Sequence, residues 1–244
     1  MAHEHSTAIV TGAAKRVGRV IAEALLADGW TVIAHAHEDG DGIPEGAIGI
    51  AADLVEADCA DRIFAAAEGQ PPVRLLVNNA ARFAADSLGR LDLAELDLHM
   101  AVNLRAPVLL TEALAARHAG GDALVVNLLD AKLEAPNPDF LSYTLSKQAL
   151  AGFTEISARA LAPAGIRVNG IAPALMLRSP GQDESNFEAM HAFNPLARGV
   201  EAGDVVAALR YFIDAARATG QVLTIDGGQR FWSLQRDVQF LERQ

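Results

Sequence analysis

Tyr143 and Lys147 stand four residues apart in the run Phe140-Leu141-Ser142-Tyr143-Thr144-Leu145-Ser146-Lys147. On a helix that spacing puts a phenol and an ammonium on one face, one turn apart. Unperturbed, the phenol titrates near pH ~10 and the ammonium near ~10.4. A cation held beside a phenol favours the phenolate and draws its pKa down. Tyr143 would then give or take a proton at physiological pH. Tyr-x-x-x-Lys also occurs in ordinary amphipathic helices, so its meaning depends on what surrounds it. The chain is sparing with both residue types: its tyrosines are Tyr143 and Tyr211, and its lysines are Lys15, Lys132 and Lys147.

Other polar residues fall where apolar segments end. Thr7-Ala8-Ile9-Val10-Thr11 reads as a strand and runs into Gly12-Ala13-Ala14-Lys15-Arg16-Val17-Gly18. Val17, Val20, Ile21, Ala24 and Leu25 then recur at helical spacing. Gly29 ends that helix, and Trp30–Ala36 reads as a second strand. Strand, glycine turn, helix, strand is the opening of a nucleotide-binding βαβ unit, although a plain βα turn has the same outline. Its helix N-terminus would offer free N–H groups to a diphosphate.

A third strand, Ala47–Ala52, ends at Asp53-Leu54 and an alanine-rich helix follows to about Glu68. Pro71 and Pro72 precede the strand Val73–Val77, which runs into Asn78-Asn79-Ala80. Buried asparagines need hydrogen-bond partners, and carboxyl ends of strands are where such sheets bind ligands. A helical region from Asp92 to His118 contains Asn103 among apolar neighbours, either kinking the helix or bonded internally. The strand Asp122–Leu129 is closed by Asp130, and a loop with Pro136 and Pro138 leads to the Tyr143 helix, which runs to about Ala162. Gly165–Ile171 is a sixth strand, and Pro173 opens a polar loop through about Glu184 containing Ser179-Pro180-Gly181. Residues 174–200 are read as a mobile lid over a substrate. A helix over 203–215 and a strand over 221–225 lead to Asp226-Gly227-Gly228. Strands alternating with helices at this spacing imply one doubly wound α/β domain over residues 1–244, with a short arm at 1–6.

The totals agree. Hydrophobic residues make up 51% of 244, enough for a sizeable core. A formal charge of −11 disfavours nucleic acid as a partner. No apolar run reaches the ~18 residues a membrane span needs, and the N-terminus lacks a secretory profile. Cytoplasm is the expected location. Cys59 is the single cysteine, so neither an internal disulfide nor a cysteine metal cluster is expected, and no metal site is read.

Thr11-Gly12 through Gly18, Asn78-Asn79-Ala80, Asn103, the Tyr143/Lys147 pair and Asp226-Gly227-Gly228 occur in the order of the short-chain dehydrogenase/reductase family. The chain resembles that family over almost all of its length. The resemblance implies a Rossmann fold with a seven-stranded parallel sheet, usually assembled as a homotetramer. Within the family the sequence is most similar to pteridine reductases and dihydromonapterin reductases. Arg16 stands where most members have a middle glycine. Asp130, thirteen residues before Tyr143, stands where most have a serine. Phe83, in Asn79-Ala80-Ala81-Arg82-Phe83, matches a phenylalanine that stacks on the pterin, and His35-Ala36-His37 is similar to a His-Tyr-His run.

These substitutions suit a flat heterocycle with a 2-amino-4-oxo edge. Phe83 can stack on it, or simply pack in a core. The Arg16 guanidinium can bridge cofactor phosphate and heterocycle edge. Asp130 can assist protonation of a ring nitrogen. The resemblance implies Tyr143 as proton donor, Lys147 holding the nicotinamide ribose, and Asn103 holding a water that links Lys147 to solvent. Gly12, Lys15, Arg16, Val17, Gly18, His37, Asp53, Leu54, Asn79, Ala80 and Pro173 would line the cofactor together with Tyr143 and Lys147. Arg16, Phe83, Asp130 and Tyr143 would meet the substrate.

Three departures bear on the reading. Glu38 and Asp39 stand where pteridine reductases have an arginine for the 2′-phosphate of NADPH, and carboxylates there suit the ribose diol of NADH. Lys15, His35 and His37 offer donors in the other direction, and the balance tips narrowly to NADPH. Pro173-Ala174 replaces the usual Pro-Gly. Residues 231–244 run past the usual end, with Phe231, Trp232, Leu234, Phe240 and Leu241 available to dock on a neighbouring subunit or over a site. The expected activity is NAD(P)H-dependent reduction of a pterin-like small molecule. The alternatives are reduction of a ketoacyl, sugar or steroid ketone on the same fold, and a non-catalytic dinucleotide sensor.

Overall fold

In the computed structural model of the protein, the described residues are 6–38, 42–178 and 183–241. Residues 1–5 of the expected arm, Asp39, the Ser179-Pro180-Gly181 run and the last three residues of the tail lie outside them. Seven strands form one parallel sheet: β1 (Thr7–Val10), β2 (Thr31–Ala36), β3 (Ile48–Ala51), β4 (Val73–Asn78), β5 (Ala123–Leu128), β6 (Ile166–Pro173) and β7 (Val222–Ile225). Their order is β3-β2-β1-β4-β5-β6-β7. The chain reverses direction across the sheet between β1 and β4, and ligands bind at such a switch point.

The strands are apolar on both faces because helices cover both. Ala8, Val10, Leu75, Val77, Leu124 and Val126 face a layer made by α1 (Arg16–Ala27) and α7 (Ala202–Asp214), with Ile21, Leu25, Leu209 and Phe212 in the seam. Ile9, Ile33, Leu76, Val125 and Val168 point the other way. They pack on α2 (Cys59–Ala65), α4 (Ala106–Arg117) and the buried flank of α5 (Leu141–Leu161) through Ile63, Phe64, Leu110, Leu114 and Ala158. This is the doubly wound Rossmann architecture the alternation predicts.

Three elements differ from the sequence reading. The helix over 92–118 divides into α3 (Leu93–Met100), a π-helical turn (Ala101–Arg105) and α4. Pro107 has no N–H for the carbonyl four residues back, which is that of Asn103, so the α-helical ladder loosens there. The stretch read as an aperiodic lid contains α6 (Glu184–His191), whose N-cap Asp183 accepts from the N–H groups of Ser185 and Asn186. Helix α2 ends at Ala65, short of the expected Glu68. Among the described residues no helix is long and apolar enough to cross a membrane.

Candidate active site

The glycine turn between β1 and α1 is tied to the end of β4. Thr11 Oγ1 accepts from the N–H groups of Asn79 and Ala80, both at 3.0 Å. The Asn79 amide donates to the carbonyls of Thr11 and Gly12 at 2.8 and 3.3 Å. Gly12 has a φ of +64°, and a Cβ there would lie 3.0 Å from the Ala80 Cα. A Cβ on Gly18 would lie 2.1 Å from the Gly12 carbonyl oxygen. Both positions therefore exclude side chains. The first turn of α1 carries no acidic residue, and Lys15 at its N-cap makes no side-chain cap. Arg16, Val17 and Gly18 of that turn line a cavity, and the free N–H groups of a helix's first turn suit an anion.

His35 is a structural member of this turn and not a donor to phosphate, contrary to one sequence expectation. Its Nδ1 accepts from the Gly12 N–H at 3.1 Å, and its Nε2 donates to the Ala52 carbonyl at 2.8 Å. Burial depresses the ring's pKa below its ordinary 6.5. The unfolded chain therefore takes up this proton first, and the stability contributed by neutral His35 is lost as pH falls below about 6.5. His35→Gln is expected to flatten the drop in melting temperature between pH about 7.5 and about 5.5. An unchanged slope would remove His35 as a cause.

Tyr143 lies on α5 beside Asp130, two residues past the end of β5. The phenol donates to Asp130 Oδ2 at 2.8 Å. Asp130 Oδ1 accepts from the Lys132 N–H at 2.8 Å and so caps the turn that follows β5. Lys147 is 2% exposed. Its Nζ donates to the Leu128 carbonyl at 2.6 Å and lies 5.8 Å from the centre of the Tyr143 ring. The electrostatics here differ from the sequence expectation that Lys147 depresses the Tyr143 pKa. Burial, then the adjacent Asp130 carboxylate, push the phenol well above its ordinary value. Burial also raises Asp130, against the hydrogen bonds it accepts. Desolvation lowers the Lys147 ammonium to about 8, with Asp130 opposing that shift. The phenol that faces the cavity thus holds its proton at neutral pH.

Several residues position this group. Asp86 grips the start of α5: its carboxylate accepts from the Ser142 N–H at 3.0 Å and from the Ser142 hydroxyl. The side chain of Asn103, in the π-helical turn, is engaged by protein. Its amide donates to the Arg82 carbonyl and Ser146 Oγ at 3.0 and 2.9 Å, and its oxygen accepts from the Arg82 N–H at 2.7 Å. The buried His99 donates from Nδ1 to the Glu95 carbonyl and accepts from the Ala84 N–H at Nε2. Phe83 is thereby held from both flanks. Its ring stacks on Phe140 at 4.4 Å and meets Tyr143 edge-on at 4.8 Å. Asp86 and His99 escape a sequence reading because their roles depend on loops meeting in space.

A cavity of about 930 Å³ runs past these residues. Gly12, Lys15, Arg16, Val17 and Gly18 line one side. His37, Asp53 and Leu54 lie at one end, and Asn79 and Ala80 in the middle. Phe83, Asp130, Tyr143, Lys147 and Pro173 reach its other part. Of the predicted site residues only Asn103, fully buried, does not line it. Arg16 adopts a φ of +55°, the left-handed region that glycine favours, and donates weakly to the Arg178 carbonyl at 3.4 Å. His37 sits between Asp53 at 3.9 Å and Glu38 at 4.0 Å. Within this chain the described part of the tail lies over the site, one of the two places the sequence reading allowed: Leu234, named there, lines the cavity together with Asp237, Val238 and the preceding Arg230, which were not.

The description "short chain dehydrogenase" belongs to the family profile that matches residues 6–188. Pteridine reductase 1 of Leishmania tarentolae is 31% identical, over 91% of this chain and 95% of that protein. L-xylulose reductase of Bos taurus is also 31% identical with the same coverage. Among solved structures, the FolM alternative dihydrofolate reductase 1 from Brucella canis, complexed with NADP, superposes with a TM-score of 0.87. It is 38% identical and covers 93% of this chain and 95% of that one.

Proposed function

From the premise that this chain belongs to the short-chain dehydrogenase family, and is an oxidoreductase, we propose that it reduces a pterin-like heterocycle with NADPH. The observation that carries the reading is the Tyr143 phenol donating to Asp130 at 2.8 Å, beside the ring of Phe83. A reduction needs a donor that still holds its proton at working pH, and Tyr143 does. The glycine turn, the uncapped start of α1 and Lys147 fit a nicotinamide dinucleotide, which supplies hydride when bound. Tyr143 gives its proton to the reduced ring nitrogen. Lys147, anchored on the Leu128 carbonyl, would hold the nicotinamide ribose. Asp130, whose protonated form burial favours, in that form returns a proton to the phenolate or delivers one directly. Asp86 and Asn103 hold the helix and the loop that set this geometry. The test is to follow loss of reduced-nicotinamide absorbance with dihydropterins and a ketone panel.

A ketone is the second reading, favoured by the equal identity to an L-xylulose reductase. The ionised form of Asp130 opposes it, because a developing oxyanion needs a neutral donor there. NADPH is favoured by Lys15 and Arg16 beside the turn, and by the NADP in the Brucella structure. Glu38 works against a 2′-phosphate. Glu38→Gln is therefore expected to lower the KM for NADPH about threefold or more while leaving that for NADH nearly unchanged. Equal changes in both would place Glu38 away from the 2′ position.

A further inference from the structure

Phe140 immediately precedes α5, and its backbone lies in the left-handed region at a φ of +53°. Glycine enters that region freely, whereas a bulky aromatic residue enters it against steric resistance. Phe140 gives α5 no side-chain cap in return. The cap comes from a distant loop: the Asp86 carboxylate accepts from the Ser142 N–H at 3.0 Å, and the Asp86 carbonyl from the Leu141 N–H at 3.4 Å. Starting the helix therefore gives no reason for a phenylalanine at this position.

The course of its ring does. Phe140 is buried and does not line the cavity, whereas Phe83 does. The two rings stack at 4.4 Å with an interplanar angle of 24°. Phe240 of the tail stacks on Phe140 at 5.6 Å and 16°, and Lys132 Nζ lies over the same ring at 5.3 Å. Arg236 Nε, donating to Asp139 Oδ2 at 2.8 Å, and Asp237 Oδ2, 3.5 Å from Lys132 Nζ, hold the tail there. Phe83 is thus flanked by Phe140 and, edge-on at 4.8 Å, by Tyr143. Asp86, three residues after Phe83, grips the turn between those two flanks. Loop and helix start are joined twice, once through rings and once through a carboxylate. Stacking fixes the plane of a ring, which an aliphatic neighbour of equal volume does not.

We propose that Phe140 is a positioning residue: its ring sets the plane of Phe83, and so the placement of a substrate ring on Phe83 relative to the Tyr143 hydroxyl. The proposal rests on reading the cavity as a site of dihydropterin reduction. The full-length protein is assayed with NADPH and 6-methyl-7,8-dihydropterin. Phe140→Leu keeps an apolar side chain and is expected to lower kcat about tenfold or more, since a misplaced ring still binds but reacts slowly. Calorimetric affinity for NADPH should be unchanged. The deciding measurement is a double-mutant cycle. In a Phe83→Leu background the same substitution should cost about twofold or less, because the ring it positions is already gone. A role confined to packing would cost the same in both backgrounds. If the leucine variant does not fold, Phe140→Met, whose flexible side chain adapts to the space, takes its place in the cycle. Equal losses in both backgrounds, or no loss from the single substitution, overturn the positioning role and leave the reductase reading standing. A wild type that turns over no dihydropterin overturns the pterin reading and the role of Phe140 with it.

Discussion

Replacing Tyr143 with phenylalanine is expected to lower kcat by about 10²–10⁴-fold, the usual worth of a positioned general acid. The substitution removes one oxygen and leaves the ring against Phe83. Lys147, the glycine turn and the start of α1 are untouched, so affinity for the reduced dinucleotide should change little. Isothermal titration with NADPH, beside steady-state assays, separates the two effects. A variant that keeps near-normal turnover would deny Tyr143 the donor role. The wild-type profile carries a related signature. The Lys147 ammonium of the free enzyme loses its proton above about 8, and with it the cation that would hold the nicotinamide ribose. The value of kcat/KM, which reports groups of the free enzyme, should therefore fall as pH rises through that region.

Asp130→Ser is expected to separate the two substrate readings. Reduction of a dihydropterin should fall about 10²-fold or more, because the hydroxyl cannot supply the proton that a raised carboxyl can. Reduction of simple ketones should rise, because a neutral donor replaces a carboxylate beside the developing oxyanion. Pterin reduction by the wild type should also decline as pH rises through the elevated Asp130 value, since only the protonated form gives up a proton. That limb should vanish in the serine variant. Loss of both activities would mean that Asp130 mainly holds Tyr143 in place.

Both experiments address residues that are legible in the sequence, and the reason is physical. Apolar runs that alternate with helical periodicity leave few arrangements other than a parallel sheet covered on both faces. Ligand-facing residues of such sheets fall at strand ends, where Gly12, Asn79 and Asp130 interrupt otherwise apolar segments. The tyrosine and lysine need only helical geometry to meet. The remaining features depend on tertiary contact. The pKa of Tyr143 rises because the site is desolvated and, next, because Asp130 lies 2.8 Å away, and spacing along the chain carries neither. His35 looks like a free donor until its two nitrogens are seen engaged by Gly12 and Ala52. Helix α6 is only eight residues long and set in a polar stretch, too short for periodicity to declare it. The partnership of Lys132 with Asp237 spans 105 positions and follows from where the tail lands.

An arginine in left-handed backbone is a residue that folding alone would exchange for glycine. Holding Arg16 at a φ of +55° costs roughly 1–2 kcal/mol in sterics that glycine avoids. Random substitution followed by selection for thermal resistance alone should accordingly enrich glycine at this position. Selection for turnover should restore the guanidinium. At position 16 durability and chemistry pull in opposite directions, and the residue present records which of them prevailed.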